Sequence, residues 1–86
     1  MQIFNKKDLY VYSKQEKKAL LSLGQMIKKR RLDVNLSQAQ LAFEINTDGR
    51  HIRRIENGEI NPSFLTLKKI ADALYLDLNE LIKSKE

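Results

Sequence analysis

A chain of 86 residues has room for one small domain, because at this length only about 60–65 % of the unfolded surface is buried on folding, and a deep substrate cavity is hard to fit. The absence of cysteine and the single histidine, His51, exclude thiol catalysis, disulfide stapling and the usual Cys/His zinc spacings. The formal charge of +5 is concentrated in residues 1–58, which hold 12 Lys and Arg against 6 Asp and Glu, so the expected partner is acidic: nucleic acid, anionic lipid or an acidic protein.

Residues 1–13 read as a leader. Leu9, Tyr10, Val11 and Tyr12 are separated from Ile3 and Phe4 by Asn5-Lys6-Lys7-Asp8, a pattern that suits a short strand or hairpin and equally a tail folded on the rest. The leader has neither the apolar stretch nor the small-residue cleavage site of a secretory signal, and no apolar run approaches the roughly 20 residues needed to span a bilayer. The expected location is the cytoplasm, with no membrane partner.

From residue 14 to 86 the pattern is that of one all-α domain of five helices, each announced by a capping residue. Ser13 with Glu16 starts a first helix carrying Leu20, Leu23 and Ile27 to about Leu32. Ser37 with Gln40 opens a short second helix with Leu41, Ala42 and Ile45. Asp48 caps a third, with Ile52 and Ile55 inward, which stops at Asn57-Gly58. Pro62-Ser63 begins a fourth, whose Leu67, Ile70, Ala71 and Leu74 share one face, and Asp77 with Glu80 begins a fifth bearing Leu78, Leu81 and Ile82.

The third helix carries the functional signal. With Ile52 and Ile55 facing inward, Gly49, Arg50, Arg53 and Arg54 fall on or near the outward surface. Such a cationic face fits the major groove, where an arginine fork can engage guanine O6 and N7. Three arginines alone also suit a solvated face. His51 lies among them with no carboxylate at catalytic spacing and reads as a surface or phosphate-neighbouring residue. Lys28 and Lys29 suit the cation preference of a helix C-terminus.

From about Leu23 to Leu81 the chain resembles the Cro/cI-type (Xre) helix-turn-helix regulators, through the string LSQAQLAFEINTDGRHIRRIENGEINPSFLTLKKIADAL. The agreement includes Ser37-Gln38, Leu41-Ala42, Ile52, Ile55-Glu56-Asn57-Gly58, Pro62-Ser63, Leu67 and Ile70-Ala71. The resemblance implies a compact lambda-repressor-like domain with the helix-turn-helix proper at about 37–57. Positions 35 and 46, commonly glycine in that family, are Asn here, and Asn is the non-glycine residue best able to take a left-handed conformation.

The resemblance also implies residue roles. Gly49, Arg50 and Arg54 match base-reading positions, with Arg53 beside them, and the arginines imply a guanine-containing half-site. Gln38, at a helix N-terminus, matches a phosphate contact; Thr47, His51 and Asn57 are the other phosphate candidates, whereas acidic Asp48 is expected to cap. Arg31 and Glu56 are expected to form a structural ion pair. Tyr75, Leu76, Leu78, Leu81 and Ile82 form the candidate dimer interface.

The implied function is that of a sequence-specific regulator of transcription, a repressor acting as a homodimer on a two-fold related operator in double-stranded DNA. Two alternatives share the same DNA-binding body: the antitoxin of a toxin-antitoxin pair, using the leader or last helix to hold its toxin, and a restriction-modification controller protein. No nucleophile, metal cluster or phosphate-binding glycine loop suggests an enzyme, and no cofactor is expected.

Overall fold

Side-chain caps set the helix starts. The Ser13 hydroxyl accepts from the Glu16 N–H at 3.0 Å and the Glu16 carboxylate accepts from the Ser13 N–H at 2.9 Å, a reciprocal box that opens α1 (Lys14–Asp33). Ser37 and Gln40 repeat the device at 3.0 and 2.7 Å before α2 (Gln38–Glu44). The Asp48 carboxylate accepts from the His51 N–H at 2.8 Å to start α3 (Gly49–Glu56), and the Ser63 hydroxyl accepts from the Thr66 N–H at 3.1 Å to start α4 (Phe64–Ala73). At α5 (Leu78–Ile82) the Asp77 N–H donates to the Glu80 carboxylate at 3.5 Å. These helices belong to a computed structural model that describes residues 11–82, and among the described residues there is no strand. Ile3, Phe4, Leu9 and Tyr10, most of the segment expected as a strand or hairpin, lie outside that range, while Val11 and Tyr12 precede α1 as irregular chain.

Four helices end in the same way. Asn35, Asn46, Gly58 and Tyr75 follow α1, α2, α3 and α4 with φ of 61°, 62°, 73° and 61°. After each, the next N–H reaches back to the carbonyl five residues before it: Leu36 to Arg31, Thr47 to Ala42, Glu59 to Arg54 and Leu76 to Ala71, at 3.2, 2.8, 2.9 and 2.9 Å. Asn at two of these positions and Gly at a third suit left-handed backbone. Tyr75 does not, since its Cβ crowds the following carbonyl at a cost of roughly 1–2 kcal/mol.

The core is made where the amphipathic faces meet. Ile27, Leu41, Ile52, Ile55, Ile70 and Leu81 are fully buried, and each removal from water contributes roughly 1.5–3 kcal/mol. α2 and α3 pack on each other, α1 crosses α3, and α5 bridges α1 and α4. Ala42, 1 % exposed, is small where α2 belongs to this core. Gly24 governs the α1–α3 crossing: a Cβ there would stand 2.3 Å from the Glu56 carbonyl oxygen and 2.6 Å from that of Ile55. Only hydrogen fits between these backbones. No helix among the described residues is long and apolar enough to cross a membrane.

Candidate nucleic-acid interface

The orientation of α3 follows from its own sequence. Ile52 and Ile55 are buried, and Arg50, Arg53 and Arg54 are exposed, with Gly49 and His51 half-buried at the first turn. The charged residues at 50, 53 and 54 therefore share the side opposite the isoleucines, spaced by three and four residues along one helix face. Thr47 is half-buried and Asp48 exposed just before the helix, and Asn57 is exposed just after it. The Asp48 carboxylate is engaged with the His51 backbone N–H at 2.8 Å, so it caps the helix as expected.

Glu56 points the other way, and its burial is compensated in full. Its Oε2 accepts from Arg31 Nε at 2.7 Å, and its Oε1 accepts from Arg31 Nη2 at 3.0 Å and from Gln38 Nε2 at 3.0 Å. Arg31 Nη1 donates to the Leu36 carbonyl at 2.7 Å. The two charged side chains are 6 % and 1 % exposed. One fork–fork pair thus ties the end of α1, the turn after it, the first residue of α2 and the last residue of α3 into a fixed frame. Its effect on the candidate interface is orientation, because it fixes α3 against α1 and α2 and with it the direction in which the arginines face.

Gln38, expected as a phosphate contact, is engaged inside the protein. It is half-buried, and one of its amide hydrogens is held by Glu56, so its primary observed role is to complete the buried network. Gly49 has no steric need to be glycine: a Cβ there would lie 3.7 Å from the Ala39 Cα, an ordinary contact.

The residues expected at a dimer interface do not form one exposed set. Tyr75 and Ile82 are 86 % and 55 % exposed, Leu76 and Leu78 are half-buried, and Leu81 is 1 % exposed. Leu81 fills the core of its own protomer and is removed from the candidate interface. A periodic apolar helix face looks the same in sequence whether its target is the same chain or a second copy, which is why the two could not be separated.

Glu59 was not anticipated. Its carboxylate stands 3.4 Å from Arg54 Nε through one oxygen and accepts from Asn57 Nδ2 at 3.4 Å through the other. The separation of five residues between Arg54 and Glu59 matches no helical pairing rule. It arises because the left-handed Gly58 folds the chain back over the last turn.

A helix-turn-helix family model matches residues 27–81. The chain is 39 % identical over 59 residues to the ImmF control region 10 kDa protein of Bacillus phage phi105, covering 69 % of this chain and 66 % of that protein. It is 34 % identical over 62 residues to the immunity repressor protein of the same phage, covering 72 % of this chain and 43 % of the repressor. The chain thus spans just under two thirds of the first of these relatives and less than half of the second. Among solved structures, the restriction-modification controller protein C.AhdI from Aeromonas hydrophila superposes with a TM-score of 0.70 at 34 % identity, over 72 % of this chain and 94 % of the controller. The same fold also matches 35 % of the hydroxypropylphosphonic acid epoxidase from S. wedmorenis, with a TM-score of 0.72 at 27 % identity over 77 % of this chain.

Proposed function

This chain belongs to the Cro/cI-type helix-turn-helix family, and from that premise we propose that it is a repressor that reads a two-fold related operator as a homodimer, with α3 in the major groove. The observation that carries the reading is the outward cationic face of α3, Arg50, Arg53 and Arg54, on a helix locked at one end by the buried Arg31–Glu56 pair. In this reading Arg50 and Arg54 engage guanine edges, with Arg53 and Gly49 beside them. Thr47, His51, Asn57 and the remaining N–H of Gln38 meet phosphates. One such domain reads too few bases for genomic selectivity, whereas two copies placed about 34–36 Å apart double the contacts. Exposed Tyr75 and Ile82, with Leu76 and Leu78 partly covered behind them, are the apolar surface we assign to the dimer. The proposed setting is the cytoplasm.

A second reading within the same class is a restriction-modification controller, favoured by the C.AhdI superposition, which extends over nearly the whole of that protein. The epoxidase match spans about a third of that enzyme, and a shared fold carries no chemistry by itself. We assign this chain no catalytic role.

Selection of bound duplexes from a random pool tests the proposal. A palindromic winner bound at least about a thousandfold more tightly than random DNA, with affinity falling steeply as salt rises, supports a dimeric specific regulator. A pool without enrichment would refute it and turn the search to a protein partner for the basic face.

A further inference from the structure

We propose that Glu59 is a positioning residue for base recognition: it holds the Arg54 guanidinium by its Nε side, leaving the paired Nη edge to face a guanine. The inference rests on the assignment of α3 to the DNA groove.

Three observations converge on it. The Glu59 backbone N–H donates to the Arg54 carbonyl at 2.9 Å, so residue 59 is anchored over the last turn of α3 by the left-handed Gly58. One carboxylate oxygen lies 3.4 Å from Arg54 Nε, and the other accepts from Asn57 Nδ2 at 3.4 Å. The acid is thus bracketed by two residues of the candidate DNA surface, although an acid so near a phosphate backbone opposes binding on charge alone.

The geometry gives the acid a use. An arginine has five N–H donors in a rigid plane, and guanine O6 and N7 require only two of them, side by side. A carboxylate on Nε leaves the two terminal nitrogens as that pair. It also reduces the rotamer freedom that the long side chain would otherwise lose on docking. In water the exposed ion pair is weak, with the two side chains 46 % and 51 % exposed. In a groove that excludes water the same contact strengthens, so its effect is concentrated in the bound state.

The test uses the full chain, the duplex it selects from a random pool, and Glu59→Gln and Glu59→Ala variants checked for native circular dichroism. The base pair at which Arg54→Ala relaxes preference is located first. At that pair, and at no other, both Glu59 variants are expected to lose about threefold to tenfold in discrimination between guanine and the other bases. Their binding to random DNA should rise, because an acid has left the phosphate path. In an Arg54→Ala background, Glu59→Gln should leave base preference unchanged.

A uniform rise in affinity with the discrimination ratio intact would show that Glu59 only repels phosphate, and would overturn the proposal. An effect that persists without Arg54 would overturn it as well. A pool that yields no selected duplex would remove the DNA reading and this inference together, an outcome distinct from both.

Discussion

Replacing Gly24 by Ala removes nothing and adds one methyl group, yet Gly24 is buried where α1 crosses α3, and the structure leaves that methyl no room. The new Cβ would stand 2.3 Å from the Glu56 oxygen, 2.6 Å from the Ile55 oxygen and 2.7 Å from the Glu56 carbon. These are backbone atoms, so no rotamer change can clear them. Ordinary contact begins near 3.4 Å, so α1 and α3 must separate by about 1 Å, in a region whose packing tolerates little slack. Overpacking of this kind costs about 1–3 kcal/mol, and separating two helices belongs at the upper end. Alanine regains up to about 1 kcal/mol in helix propensity. A net loss near 2 kcal/mol is therefore expected, a large part of the roughly 5–10 kcal/mol that a domain of this size has.

Gly49→Ala is the internal control. Its Cβ would meet Ala39 at 3.7 Å in ordinary contact, so the same substitution should be neutral or stabilising by up to about 1 kcal/mol. Urea denaturation followed by helical circular dichroism reads both. Gly24→Ala as stable as the unaltered chain would refute the close crossing, and equal losses in the two variants would refute the reasoning that separates them.

Three further outcomes follow from the same geometry. Glu56→Gln strands the Arg31 charge in the core and should cost about 3–5 kcal/mol, while the double change Arg31→Met with Glu56→Leu should recover much of the loss in urea titrations. Arg50→Ala or Arg54→Ala should each weaken operator binding by about 1–3 kcal/mol and relax preference at one base pair per half-site in a repeated selection; an unchanged preference would end the base-reading assignment. Ile82→Glu places a charge on an exposed position outside the protomer core and should yield a folded monomer, and a dimer that survives this change in analytical ultracentrifugation would move the interface elsewhere.

Local chemistry made much of this legible in the amino-acid sequence. Ser13, Ser37, Asp48 and Ser63 cap helices because their side-chain oxygens satisfy free N–H groups, an interaction that spans only three residues. Asn35 and Asn46 take left-handed backbone for an equally local reason. The Arg31–Glu56 contact crosses 25 residues: the position of Glu56 beside inward Ile52 and Ile55 calls for a partner, but only the resemblance points to Arg31 as that partner.

What the sequence hid is nonlocal. A glycine within α1 suggests only a weakened helix, and nothing near Gly24 reveals that the carbonyls of residues 55 and 56 lie against it. Gln38 joins the buried network across 18 residues, and Leu81 packs inward where its pattern equally suits a partner. Tyr75 in a left-handed turn contradicts its residue type, and is tolerated because the Leu76 N–H and the Tyr75 N–H still find helix carbonyls at 2.9 and 3.1 Å.

The most direct test of α3 as the reading helix is amide chemical-shift mapping of the labelled chain titrated with its selected duplex. The account predicts the largest changes from Thr47 to Asn57 and at the start of α2, with residues 78–82 little affected at a protein concentration where the dimer is already formed. Changes centred on Tyr75 to Ile82, with Arg50 and Arg54 unmoved, would contradict it.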